Sequence, residues 1–164
     1  MANLQSSYMG IPLKNPFIVG ACSMTAHMDS IKRMEDAGAG AIVIQSLFEE
    51  QIQLQQMRME EELTINDNLD AEIQDLFPDV EHGGPEEHLM WVRRSKEASS
   101  IPIIGSLNCI NPATWAEWAV KMEETGVDGL ELNFFAIPID GSRSAQDVEA
   151  EQIDALQQVK AKVK

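Results

Sequence analysis

The sequence predicts a parallel α/β fold of the (β/α)-barrel type, on three observations. Four short apolar runs have strand character, helical patterns stand between and after them, and one βα unit recurs along the chain. The runs are FIVGACS (17–23), AIVIQSLF (41–48), PIIGSLN (102–108) and GLELNFF (129–135). The recurrence joins EDAGAGAIVIQSLF (35–48) to EETGVDGLELNFF (123–135), which align without gaps. Each has an acidic pair, a small residue, a glycine and then a short strand ending in an amide, so that Gln45 falls on Asn133.

The elements follow in chain order. In TAHMDSIKRMEDAG, Thr25 is placed to cap a first helix, Met28 and Ile31 share a face, and Gly38 closes it as a left-handed cap. Residues 49–100 form the irregular part: EEQIQLQQMRMEEEL is rich in helix formers but weakly periodic, and 64–85 read as loops with at most a short helix. EEHLMWVRRSKEA then predicts a helix with Pro85 in its first turn. NPATWAEWAVKMEETG carries the clearest helical signal. Asn111 caps it, Pro112 opens it, Trp115, Trp118, Ala119 and Met122 form one stripe, and Gly126 ends it. A stripe of that kind is the face a helix packs on a sheet. The last helix, over 146–162, brings Val148, Ile153, Leu156 and Val159 to one side and ends in lysines that suit a helix C-terminus.

Composition narrows the function. The chain has 164 residues, enough for one core, and 12 basic against 27 acidic residues give a net charge of −15. Such a charge repels nucleic acid and anionic membranes, which sets both aside as partners. No apolar run approaches the roughly 18 residues of a membrane helix, and MANLQSSYMG lacks the layout of a secretory signal. Cys22 and Cys109 stand in unrelated contexts and suggest neither a disulfide framework nor a zinc motif, so a reducing cytoplasm is the expected setting.

The strand ends carry the chemistry. In GLELNFF, Leu130 and Leu132 alternate with Glu131 and Asn133, so the leucines belong to the helix-covered face and the polar parity points into the barrel. An antiparallel or edge strand with one wet face is the bland alternative. Gln45, Ser106 and Asn108 would join Asn133 at the C-terminal ends of the strands, the face where barrel enzymes hold their active sites. This set offers donors and acceptors but no base or nucleophile, which suits recognition of a flat heteroaromatic ring better than acid–base work. The small residues of GACS would let such a ring approach the backbone. His82 and His88, with Glu81, Glu86 and Glu87, read as the acidic first turn of a helix rather than as metal ligands, so no metal is expected. Cys109 has no histidine placed by sequence to activate it.

YMGIPLKNP, LKNPFIVGACSMT, DAGAGAIVIQS and IPIIGSLNCINPATWAEWAVKMEETGVDGLELN resemble the N-terminal half of FMN-dependent dihydroorotate dehydrogenases, and the flavin domain of dihydropyrimidine dehydrogenase is similar. The resemblance implies a barrel of TIM type with only its first four βα units in residues 1–164 and a hairpin over 1–15 that plugs the barrel floor. It implies FMN as cofactor, with Gly20, Ala21 and Cys22 beside the isoalloxazine. Gln45, Ser46, Asn108 and Asn133 would orient the ring and a small-molecule, pyrimidine-like substrate. The implied reaction is hydride transfer between the flavin and an unsaturated or dihydro compound.

The departures are specific. The family usually has a lysine where Gln45 stands, and a Cys or Ser base where this chain has Ala136, leaving the catalytic residue unknown. A non-catalytic flavin- or metabolite-binding barrel is therefore the rival reading; a phosphosugar lyase or isomerase on a related barrel is a second. A full barrel takes about 250 residues, so the expected partner is a second copy of this chain or a C-terminal half-barrel.

Overall fold

The computed structural model describes residues 3–63, 84–135, 141 and 143–164. The chain begins with an antiparallel hairpin, β1 (Ser6–Tyr8) and β2 (Ile11–Leu13). Its two-residue turn is Met9–Gly10, with φ of 51° and 79°. Two left-handed residues in succession give the turn whose twist matches that of paired strands.

A parallel sheet follows. Its strands are β3 (Ile18–Val19), β4 (Ala41–Val43), β5 (Leu47–Phe48), β6 (Ile103–Asn108) and β7 (Gly129–Leu132). β3 pairs with β4, β4 with β6, and β6 with β7, all parallel. Ile104 pairs with both Val43 and Gly129, and Leu107 with both Leu47 and Leu132, so β5 continues β4 along one flank of β6 while β7 takes the other. Between Val43 and Leu47 lie three residues, against two between Ile104 and Leu107. The extra residue is a bulge in the first of these flanks.

The helices are α1 (Met28–Asp36), α2 (Glu49–Leu63), α3 (Gly84–Ala98), α4 (Pro112–Glu123) and α5 (Ala145–Lys160). Strand and helix thus alternate as the sequence predicts, in the arrangement of part of a (β/α) barrel. None of the described helices is long and apolar enough to cross a membrane. Ile42, Ile44, Leu47, Ile103 and Leu107 turn to the helices and pack with Ile31, Val92, Trp115, Trp118, Ala119 and Met122. On the opposite face Ala41, Val43 and Ile104 pack with Leu13 and Ile11 of the hairpin, which covers the N-terminal ends of the strands.

The repeat is visible in three dimensions. Gly38 and Gly126, aligned in sequence, both take left-handed φ, 102° and 87°. Two residues on, the N–H of Gly40 donates to the Phe17 carbonyl at 2.7 Å and that of Asp128 to the Ile103 carbonyl at 2.8 Å. Equivalent bonds start equivalent strands. Asn111 caps α4 by accepting from the Ala113 N–H at 2.9 Å.

Three local readings differ from the sequence expectation, and a fourth lies mostly outside the described residues. Residues 49–63, weakly periodic, form α2; propensity carries the helix and Ile52 is its deeply buried apolar side chain. Thr25 does not cap α1. It is buried in a 3-10 turn (Ser23–Ala26), its hydroxyl donating to the Cys22 carbonyl at 2.8 Å. In α5 the buried side chains are Ala155 and Val159, whereas Ile153 and Leu156 are 54% and 43% exposed, because among the described residues β7 has a strand on one flank only. The loop expected over 64–85 lies outside the described residues except for Gly84 and Pro85, which begin α3.

Gly40 has a role that its aligned partner Asp128 lacks. A methyl group added there would overlap the Asn15 carbonyl oxygen and sit 2.9 Å from Asn15 Oδ1. Gly40→Ala is expected to lower stability by about 1–3 kcal/mol, read as a lower urea midpoint with unchanged slope.

Candidate functional site

The inner face of the sheet has two layers. The lower one, at the N-terminal ends, is apolar and covered by the hairpin. Gly129 lets the hairpin approach closely there: a Cβ would come to 3.0 Å from Met9 Cε and 3.3 Å from Ile11 Cδ1, so both side-chain ends would have to shift. The upper layer is polar. Ser46 Oγ lies 2.8 Å from Ser106 Oγ, and Ser106 donates to Glu131 Oε1 at 2.8 Å. Three adjacent strand segments thus contribute one side chain each to a single hydrogen-bonded row.

The bulge decides which residue of β4–β5 joins that row. Unbroken alternation from Val43 brings Gln45 inward; with one extra residue, Ser46 stands opposite Ser106 and makes the contact. Gln45 is half-buried beside it. Asn108 and Asn133 lie at the ends of β6 and β7, and the Asn133 N–H extends the ladder by donating to the Leu107 carbonyl at 2.8 Å. The side chains of Gln45, Asn108 and Asn133 make no hydrogen bond to the described residues. Gly20 and Ala21 are exposed after β3, and Cys22 is half-buried as the residue that begins the 3-10 turn.

A cavity of about 460 Å³ lies between the hairpin and the free side of β7, touching Tyr8, Met9, Gly20, Ile104, Glu131 and Leu156. Of the residues expected from sequence to hold a ring, its lining includes Gly20 but not Ala21, Cys22, Gln45, Ser46, Asn108 or Asn133. That volume lies within the range of small-molecule sites. A Cβ built on Gly20 would meet no atom within 4 Å, so a flat ring has room against that backbone. The lining includes Glu131 and no lysine or arginine among the described residues. The lining offers apolar surface, one carboxylate and room for a planar ring at Gly20, and does not provide for a flavin's phosphate. Phe134 packs on Trp115, ring centroids 4.9 Å apart, while Phe135 is exposed. Ala136 lies outside the described residues, as do Glu81 and His82. The described residues contain no group of three or more His, Cys, Asp or Glu side chains arranged to hold a metal.

Two buried groups sit behind the rim. Glu49, the first residue of α2, is 3% exposed, and its carboxylate accepts from the Ile110 N–H, the Asn111 N–H at 2.9 Å, the Thr114 hydroxyl at 3.2 Å and Gln53 at 3.1 Å. It satisfies N–H groups at the start of α4 that the helix itself cannot, and so fixes the loop after Asn108. Sequence reasoning missed it, since an acidic first turn looks the same whether it serves its own helix or another. Cys109 is buried beside it. Burial, followed by the nearby charges of Glu49 and Glu50, pushes its thiol up to about 12. A thiol held protonated in this way is no nucleophile at neutral pH.

No family model matches the chain. It is similar, at 28% identity over 165 aligned residues, to the catalytic subunit of dihydroorotate dehydrogenase B (NAD(+)) from Thermoplasma volcanium. The alignment takes in all of this chain and 52% of that protein, so the chain spans about half the length of the curated relative it matches. The family resemblance read from the motifs therefore extends over the whole of residues 1–164.

Glu49→Ala leaves the N–H groups of Ile110 and Asn111 without their acceptor and is expected to cost about 1–3 kcal/mol in urea unfolding. For Cys109 the sign follows from linkage. A thiol that ionises near 9 when unfolded and near 12 when folded stabilises the fold fully below pH 9, and that contribution is lost as pH rises toward 12. Iodoacetamide labelling of Cys109 should therefore stay slow at pH 9 in native protein and become fast in urea.

Proposed function

We propose that this chain forms the ring-binding half of an FMN-dependent oxidoreductase barrel of the dihydroorotate dehydrogenase type, acting on a C–C single or double bond of a pyrimidine-like substrate. The observation that carries the reading is the polar row at the C-terminal strand ends, set above an apolar floor closed by the hairpin. The likeness to a dihydroorotate dehydrogenase catalytic subunit over the full chain supports the same reading. Gly20, Ala21 and Cys22 would lie against the isoalloxazine, and Gln45, Ser46, Asn108 and Asn133 would orient ring and substrate. Bound FMN would supply hydride chemistry. What this chain contributes is a dry floor, an oriented polar edge and room for a planar ring.

The sheet needs partners. β3 and β7 each have one neighbour among the described residues, and exposed parallel edges invite pairing. The proposal includes a second half-barrel that closes the sheet and brings the phosphate site, supplied by a second copy or by a C-terminal half.

A specific departure favours a second reading. Alanine at position 136 cannot accept a proton, and Gln45 replaces a cation, so a flavin- or metabolite-binding barrel without turnover has support of its own. One titration addresses the proposal. FMN added to the purified chain should show a shifted, structured visible spectrum that survives desalting, in a species sedimenting larger than a monomer. An unperturbed flavin spectrum with a monomeric chain would overturn it. A retained flavin that dithionite reduces, but that no dihydropyrimidine reduces, would favour the non-catalytic reading.

A further inference from the structure

The Ser106 hydroxyl sets the polarity of the inner layer. It is fully buried and carries one proton, and Glu131, 2.8 Å away, can only accept while ionised. The Ser106 proton is therefore committed to Glu131. It follows that in the 2.8 Å contact between Ser46 and Ser106 the donor is Ser46. The row is one-way, from Ser46 through Ser106 to Glu131. It ends on the exposed carboxylate of Glu131, whose Oε2 has no hydrogen-bond partner among the described residues, and which is the one charged side chain that they contribute to the cavity lining.

We propose that this row is the recognition edge of the site and that it selects planar ligands presenting ring N–H donors. Glu131 is the specificity-determining residue; Ser106 and Ser46 are positioning residues that fix the direction of its hydrogen bonds. The inference rests on the ring-binding reading above and names the class of ring edge that the site takes. Gln45, Asn108 and Asn133 carry both donors and acceptors and can serve either kind of ligand. Glu131 cannot. A carbonyl or an N-alkyl group turned toward it displaces water from the exposed carboxylate without replacing its hydrogen bond, and hydrogen bonds to charged groups are among the stronger ones. Ser106 cannot supply the missing bond, since it has no second proton to offer.

The test uses the intact chain and two fluorescent alloxazines of nearly equal shape that need no phosphate site. Lumichrome carries N–H at both nitrogens of its pyrimidine ring; 1,3-dimethyl-lumichrome carries none. Dissociation constants are measured by fluorescence for the wild type, Glu131→Gln and Glu131→Asp, with the FMN spectrum recorded alongside and circular dichroism to confirm folding. The wild type should prefer lumichrome by roughly ten- to a hundredfold. Glu131→Gln, which can donate as well as accept, should bring the ratio near unity, and Glu131→Asp should restore part of it. Equal affinities for the two probes in the wild type, or a ratio unchanged in Glu131→Gln, would overturn the inference. A wild type that holds FMN but takes neither probe would overturn it while leaving the flavin reading standing. If neither FMN nor either probe binds, the flavin reading itself fails and this inference with it.

Discussion

The structure depends on the pairing of β6 along both flanks. From Ile103 to Leu107 every residue of that strand is buried, and its ladder bonds hold β4 and β5 on one side and β7 on the other. Strand alternation then allows no choice: Ile103 and Leu107 must face the helices, and Ile104 and Ser106 the interior. A polar side chain at position 106 is tolerable only if it is satisfied, and both of its neighbours on the flanking strands oblige. The site is thus a by-product of how the central strand is paired.

Acidic residues outside the site serve the same frame. Asp128 accepts from the Ile103 N–H at 2.8 Å and pairs with Lys96 of α3, tying the lower ends of β6, β7 and α3 together. Glu35, at the end of α1, accepts from the Ser100 N–H and from the hydroxyls of Ser99 and Ser100, and these bonds hold its carboxyl below its usual range. Glu49 does the equivalent at the upper rim. These three carboxylates are thus more than a solvated coat: they are acceptors that close the turns between strands and helices.

How much of this was legible from sequence depended on whether a feature is local. The left-handed glycines at 38 and 126, the Asn111 cap and the Trp115–Trp118 stripe each need only a few neighbouring residues, and each reads correctly. The inward parity of Glu131 and the outward parity of Leu130 and Leu132 read correctly for the same reason. What escaped depends on residues far apart. Glu49 bonds to a loop some sixty residues away, and the row through Ser46 needs the register of two strands; Thr25 is a local exception, closing a 3-10 turn that pattern reading took for a helix start. Periodicity counts positions along one segment; it has no means of seeing an extra residue that only the partner strand reveals.

That extra residue, between Val43 and Leu47, bears on how the segment can vary. The two halves of the internal repeat match up to Gln45 and Asn133 and then part company, one continuing along β6 and the other leaving the sheet. In the first copy the number of residues before Leu47 determines whether a hydroxyl or an amide meets Ser106. Removing Ser46 would abolish the bulge, keep Leu47 opposite Leu107 and bring Gln45 opposite Ser106, whereas exchanging one amide for another at position 45 would leave the register alone. In this stretch the count of residues, as much as their identity, decides which side chain meets the central strand.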